Sequence, residues 1–274
     1  MKYISLLILL FYYWPFANLT SSTDFIPEEG LIAYYSFNHC DARDDTGGGS
    51  DGQLFGDIGC WCGIDDDGLL LDGRRDYIEF TGKVNQYFNT SDFSLSFYFK
   101  PEQYQIFAQS LISKRAECDE YNMLDILLNM GQKIIETEVH ENPNKDYRDI
   151  SPNWKESGWH HYALVREGTM AYTYIDGALQ ARGMRCSGVD IGNDALLSFS
   201  NSPCIGSGGA RRFKGILDEL CIYDRALTEE EVGDLYNLYP IENAASDCFS
   251  YLPKKSPSEL YNTEQSPYLC LSFE

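Results

Sequence analysis

The stretch Phe213-Lys-Gly-Ile-Leu-Asp-Glu-Leu-Cys-Ile-Tyr-Asp-Arg-Ala-Leu-Thr-Glu-Glu-Glu-Val232 decides how this chain folds. Its first half is an alternating run with Ile216, Leu220 and Ile222 along it, and reads as a long half-buried strand carrying Asp218 and Glu219. Strict alternation sets those two carboxylates on opposite faces. The strand stops at Asp224-Arg225. Thr228 then caps a short helix: Glu231, three residues on, completes a capping box, and Val232 and Leu235 share one face.

Outward from this stretch the chain is a series of short strands broken by turn signals. Leu31 to Phe37 and Tyr77-Ile-Glu-Phe80 are strands, and Phe93-Ser-Leu-Ser-Phe-Tyr-Phe99 alternates before Pro101 ends it. Asn122 to Leu128 and Ile134 to Val139 form a hairpin around Met130-Gly131; Trp159 to Arg166 and Met170 to Ile175 follow. Asp176-Gly177 between Met170–Ile175 and Ala178–Ala181 is the strongest hairpin signal in the chain. With 14% aromatic residues and one late helix, this is an all-β sandwich, and residues 30–239 fit a single domain. The tail, 240–274, has two prolines around Lys254-Lys255, another at Pro267, and little core of its own; it reads as a tail or linker.

At the N-terminus, Lys2 precedes the apolar run Ile4–Trp14, which fits a secretory signal peptide spanning residues 1–23 and is shorter than the ~20 residues of a spanning helix. An uncleaved anchor is the alternative. The net charge of −21 excludes nucleic acid as an expected partner, because phosphate backbones reward basic patches. Nine cysteines behind an export signal point to disulfides, with one thiol left over. Cys60-Trp-Cys62 has no second half at zinc spacing. Asn18-Leu-Thr20 and Asn89-Thr-Ser91 are glycosylation sequons.

The order of these pieces resembles the laminin-G-like jelly rolls of the concanavalin A-like lectin/glucanase superfamily. The pieces are Gly30 to Phe37, the loop Asp45-Thr-Gly-Gly-Gly-Ser-Asp-Gly52, Leu71-Asp-Gly73 with Tyr77 to Phe80, Phe93 to Phe99, Trp159-His-His-Tyr-Ala-Leu-Val-Arg166, Tyr174-Ile-Asp-Gly177 and the closing strand. Leu111-Ile-Ser-Lys-Arg115 with Cys118, and Asn201-Ser-Pro-Cys-Ile-Gly206, are similar to a subset found in secreted bacterial multidomain proteins. The resemblance implies a two-sheet antiparallel jelly roll with one short C-terminal helix. It also implies a Cys118–Cys204 bridge, with Cys40 pairing Cys60 or Cys62. In that family a calcium ion bridges the Asp/Gly loop and the closing strand, which here implies Asp45, Asp51 and a carbonyl near Gly47 or Gly48 meeting Asp218. Acidic, glycine-rich loops suit calcium because carboxylates and inward-turned carbonyls supply its six to eight oxygens. The sequence departs from the family at Gly48 and Gly49, where Asn is usual.

Other chemistries fit less well. Asp65-Asp-Asp-Gly68 fails as an EF-hand, since Gly68 in register puts Gly63 at the first ligand position and Arg74 at the twelfth. Superfamily glucanases use a Glu-x-Asp-x-x-Glu strand, and nothing acidic stands two or three residues before Asp218. Glu136 and Glu138 form a same-face pair, which reads as a solvated sheet face. Lyases on this fold need a Tyr/His base with an uronate-neutralising partner; His160 and His161 fall on a strand where the family uses them structurally. No Gly-x-Ser-x-Gly elbow occurs. Sugar stacking needs exposed aromatics, and Trp61, Tyr147, Trp154 and Tyr104 fall in loop-like stretches. Arg211-Arg212 reads as a solvated strand end.

The expectation is therefore a secreted or cell-surface, non-catalytic module that binds carbohydrate or an extracellular protein, in adhesion or polysaccharide capture, with a possible structural calcium. The alternatives are a glycoside hydrolase or polysaccharide lyase on the same fold, and a structural protein-interaction module without a glycan site.

Overall fold

The computed structural model describes residues 26–102, 106–151, 158–183 and 189–244. The expected signal segment, Asn18, Tyr104, Trp154 and the tail beyond residue 244 lie outside the described residues. In chain order the strands are β1 (Leu31–Tyr35), β2 (Gly52–Phe55), β3 (Gly59–Cys62), β4 (Asp67–Asp72), β5 (Tyr77–Phe80), β6 (Phe93–Pro101), β7 (Gln109–Lys114) and β8 (Met123–Asn129). They continue as β9 (Ile134–Asn142), β10 (Lys145–Ser151), β11 (His160–Glu167), β12 (Met170–Ile175), β13 (Ala178–Gly183), β14 (Leu197–Phe199), β15 (Arg211–Arg212) and β16 (Lys214–Tyr223). Among the described residues the α-helices are a single turn, α1 (Cys204–Ser207), and α2 (Glu229–Leu238).

Sheet A runs β13-β12-β11-β6-β16-β4-β3, with β1 also paired to β16; sheet B runs β10-β9-β8-β7-β14-β5-β2. β15 joins β7 in parallel, whereas the long strands pair antiparallel. The fold is the expected two-sheet jelly-roll sandwich. Alternate residues of both sheets meet in one core, including Leu95, Phe97 and Phe99 of β6, Ile126 of β8, Phe199 of β14, and Leu217 and Leu220 of β16. Burying each such side chain is worth roughly 1.5–3 kcal/mol, which is why alternation fixes the register.

The closing stretch folds as its sequence dictates. The Thr228 hydroxyl accepts from the Glu231 amide at 3.1 Å, and the Glu231 carboxylate accepts from the Thr228 amide at 2.8 Å. The salt bridge to Arg225 and these cap bonds hold the Glu231 carboxyl down at about 2. Val232 and Leu235 then bury on the outer face of sheet A, against Ala163, Val165, Tyr174, Cys221 and Tyr223. Asp176 and Gly177 both sit at positive φ, 51° and 72°, as a two-residue hairpin between right-twisted strands requires.

One expectation fails at β16. Asp218 and Glu219 do not take opposite faces, because Glu219 is a bulge residue at φ 51° and the register slips between Asp218 and Cys221. Along one edge, β16 pairs β4 through Leu217 and β1 from Leu220, so the two acids fall where its neighbour changes.

The structure joins Cys118 to Cys204, and Cys40 to Cys60. Cys62 is also disulfide-bonded, but not to Cys40. Cys221 is a buried free thiol.

Candidate functional site

The carboxylates expected to hold calcium are turned to separate backbone partners. Asp45 Oδ2 accepts from the Ser36 amide and hydroxyl, at 3.0 and 2.7 Å. Asp51 Oδ1 accepts from the Asp44 amide at 2.9 Å. Asp218, fully buried, accepts from Ile64 and Asp65 amides on Oδ2 and from the Glu219 amide on Oδ1. Gly48 packs against Asp44, whose carboxylate organises the loop by accepting from Thr46 and Ser50. Among the described residues, the ligating side chains that gather within 4.8 Å are Cys40, Cys60 and Asp67, and both thiols are spent in a disulfide. Asp45, Asp51 and Asp218 are thus not brought together.

Glu219 fits a cation better. It is 3% exposed; Oε2 accepts from the Tyr34 hydroxyl at 2.7 Å, while Oε1 has no hydrogen bond among the described residues. Burial holds its carboxyl well above the usual range, against the pull of the Tyr34 bond, and the charges of Asp65 and Asp45 add to the rise. Strict alternation concealed this residue, because only the bulge turns it to the outer face of sheet A, beside Tyr34, Tyr98 and Tyr239.

The outer face of sheet B carries the second arrangement. Register places Gln53, Glu79, Ser198, Ser113, Asp125, Glu138 and Arg148 in one row across seven strands. The row itself is polar, with apolar Leu127, Ile150 and the Phe55–Tyr77 pair in the rows beside it, whereas on the outer face of sheet A α2 packs on an apolar cluster. Asp125 is fully buried and paired with Arg115 at 2.8 Å. Arg115 also donates to the carbonyls of Glu117 and Asp119, in the loop that Cys118 ties to Cys204. Burial pushes the Asp125 carboxyl up to about 6, against the pull of Arg115.

Toward the sheet edge the row opens. Glu136 and Glu138, on alternate positions of β9, both pair with Arg148 of β10, whose side chain is 53% exposed. Burial, then Glu136, raises the Glu138 carboxyl. His140 continues that stripe, 5% exposed with no hydrogen bond on either ring nitrogen among the described residues. Ile150 of β10 stands exposed beside the pair, in register with Glu136. At the other end the Phe55 and Tyr77 rings stack at 4.4 Å, and the Arg212 guanidinium lies 4.2 Å over Tyr77.

The expected sugar-stacking aromatics divide. Trp61 is 38% exposed on β3, at the edge of sheet A, away from this face. Tyr147 is a correction: at 4% exposure it belongs to the core, since inward alternation on β10 carries it between the sheets. His160 and His161 are buried; His161 Nε2 bonds Ser96 at 2.7 Å, and burial drives its pKa down to about 3. Arg212 is not a free cation either, since it donates to the Ser200 carbonyl and Asn201 Oδ1.

Residues 72–233 match the Laminin_G_3 family model, described as the concanavalin A-like lectin/glucanases superfamily. No curated protein matches the sequence. Among solved structures, domain 4 of AbnA, a GH43 extracellular arabinanase from Geobacillus stearothermophilus solved with arabinotriose, matches at TM-score 0.57 and 23% identity, over 77% of this chain and 100% of that one. The binding domain of Paraclostridial Mosquitocidal Protein 1 matches at TM-score 0.63 and 17% identity, over 77% and 52% of the two chains. The binding domain of botulinum neurotoxin DC, solved with rat synaptotagmin II, matches at 0.57 and 13%, over 76% and 51%. This chain spans about half the length of those toxin binding domains, and at such identities the likeness is one of fold. With its two-sheet jelly roll and the match over residues 72–233, the chain belongs to the Laminin_G_3 family of the concanavalin A-like lectin/glucanases superfamily.

Proposed function

We propose that this protein is a secreted, non-catalytic glycan-binding module whose ligand lies on the outer face of sheet B, over Glu136, Glu138, Arg148 and Ile150. The observation that carries the reading is the asymmetry of the two faces. α2 covers sheet A, while sheet B presents a register-aligned row of hydrogen-bonding side chains with an apolar residue beside it. Carboxylates accept from sugar hydroxyls, Arg148 donates to them, and Ile150 covers a C–H face. Extracellular action is supported by the disulfides and by the AbnA domain, which is part of an extracellular enzyme and was solved with an arabino-oligosaccharide. Absence of catalysis is supported by Arg148 holding both half-buried carboxylates of β9 and by the enclosure of Asp125.

A glycan array on the mature protein tests the reading. Oligosaccharide hits that Arg148→Ala abolishes support it; a blank array, or hits indifferent to Arg148→Ala, sinks it. Synaptotagmin bound by a neighbour of the same fold makes protein adhesion the outcome that a blank array would favour. A second reading, glycoside hydrolysis, draws on Asp125 and Glu138 being cross-strand neighbours, with Cβ atoms about 4.5–5.5 Å apart in such pairs. Turnover of an array hit that Glu138→Gln stops would replace the non-catalytic reading.

We further propose that a structural calcium binds at Glu219 rather than at Asp45, Asp51 and Asp218, which are turned to backbone donors. The Glu219 oxygen left without a hydrogen bond among the described residues supports this position. Calcium favours the ionised carboxylates that burial disfavours, so its removal lowers stability. EDTA should lower the melting temperature, and Glu219→Gln should remove that sensitivity. An unchanged melting curve with EDTA would end the metal proposal.

A further inference from the structure

Across the molecule from the sheet B face, a groove of about 280 Å³ opens between α2 and the edge strands β12 and β13 of sheet A. Its floor is Tyr172, Tyr174 and Leu179; Glu167, Arg182 and Glu229 stand around it. Tyr172 and Tyr174 point outward because they alternate with Ala171, Thr173 and Ile175, which are buried on the inner side of β12. β13 then brings Leu179 opposite Tyr174 and Arg182 opposite Tyr172. α2 contributes Glu229 because the Thr228 cap starts the helix there.

The polar groups of this groove are unused by the described protein. The Arg182 guanidinium lies 5.3 Å over the Tyr172 ring, and neither it nor Glu167 or Glu229 forms an ion pair among the described residues. Tyr174 has its ring packed under α2, and its hydroxyl makes no hydrogen bond among the described residues. All four groups are near one another, since burial, then Glu229 and Tyr172, raise the Tyr174 phenol while Arg182 opposes them. A guanidinium, two carboxylates and a phenol around an aromatic and aliphatic floor offer donors and acceptors on one rim and a C–H surface below.

We propose that this groove is a second ligand site, independent of the sheet B face, that takes one uncharged sugar ring. The volume falls just below that of common ligand pockets, about 300–1,000 Å³, so it suits a single ring rather than a chain. The charges select the class. Arg182 alone would draw an anion, but Glu167 and Glu229 beside it repel one, and the Arg182 guanidinium over Tyr172 repels a cation from that ring, so the complement is an uncharged polyol. Its apolar face covers Tyr172 and Leu179, while vicinal hydroxyls bridge the guanidinium and a carboxylate.

The test is saturation-transfer NMR of the mature protein with methyl glycosides of xylose, arabinose, glucose, galactose and mannose, with free glycine as the zwitterionic control. Measured in Arg148→Ala, which removes the sheet B site, the protein should bind at least one glycoside, and adding Arg182→Ala or Tyr172→Ala should each weaken that binding about tenfold or more. Unchanged melting temperatures for the Arg182 and Tyr172 variants would assign the loss to the groove. Binding that survives both groove variants, binding of glycine in place of a glycoside, or no transfer to any glycoside would overturn the site. Because the sheet B reading is tested through Arg148, either proposal can fail without the other.

Discussion

Asp125 is the residue whose surroundings say most about sheet B. It is fully buried and paired with Arg115, and among the described residues its Oδ1 has no hydrogen bond. Breaking a buried pair from one side leaves a desolvated charge, so Asp125→Ala should cost about 3–5 kcal/mol in urea unfolding, whereas Asp125→Leu with Arg115→Met should recover most of it. An Asp125→Ala midpoint within ~1 kcal/mol of wild type would mean the pair is solvated. The pH dependence carries a definite sign. The folded carboxyl titrates at about 6, above its unfolded value of ~3.9, so the native state binds the extra proton between them. Stability from this group therefore falls as pH rises from about 4 to about 6, and Asp125→Asn should remove that slope. At the same scale, Glu219 was illegible. Alternation predicts its face from Asp218, and only a bulge at a non-glycine positive φ reverses that prediction.

Among the elements, those with local signals were readable. The Thr228–Glu231 box set the start of α2, and Asp176-Gly177 set the β12–β13 turn, because each depends on contacts a few residues apart. β10, the hairpin partner of β9, was not foreseen; nor were β14 and β15, whose partners β5 and β7 lie far along the chain, β15 being only Arg211–Arg212. The polar row of sheet B was hidden for the same reason. Glu136 and Glu138 were visible as a same-face pair, but their alignment with Asp125, Ser113, Ser198 and Glu79 exists only once five strands are in register. The hairpin gives a sharp element-scale prediction. Gly168 and Gly177 both hold positive φ, but a Cβ at Gly168 meets nothing within 4 Å, whereas at Gly177 it lies 2.7 Å from the Tyr236 ring. Gly168→Ala should cost about 1–2 kcal/mol from backbone strain. Gly177→Ala should cost more, because it also pushes α2 off the hairpin. Equal melting temperatures for the two variants would contradict this contact.

Over the described molecule, α2 packs on one sheet, while the outer face of the other carries a polar row flanked by Ile150 and the Phe55–Tyr77 pair, in a chain of net charge −21. The acidity is consistent with solubility and with hydroxyl-rich ligands, and it works against polyanions. Family membership was legible because it rests on the order of strand motifs along the chain, whereas the ligand face rests on tertiary register. The central claim is that the Glu136–Arg148–Glu138 edge of sheet B recognises glycan. The most direct measurement is the affinity, by titration calorimetry, of wild type and Arg148→Ala for the strongest array hit. Arg148 is exposed and its removal leaves the core intact, so the account predicts at least a tenfold loss of affinity with an unchanged melting temperature. Equal affinities for the two proteins would contradict it.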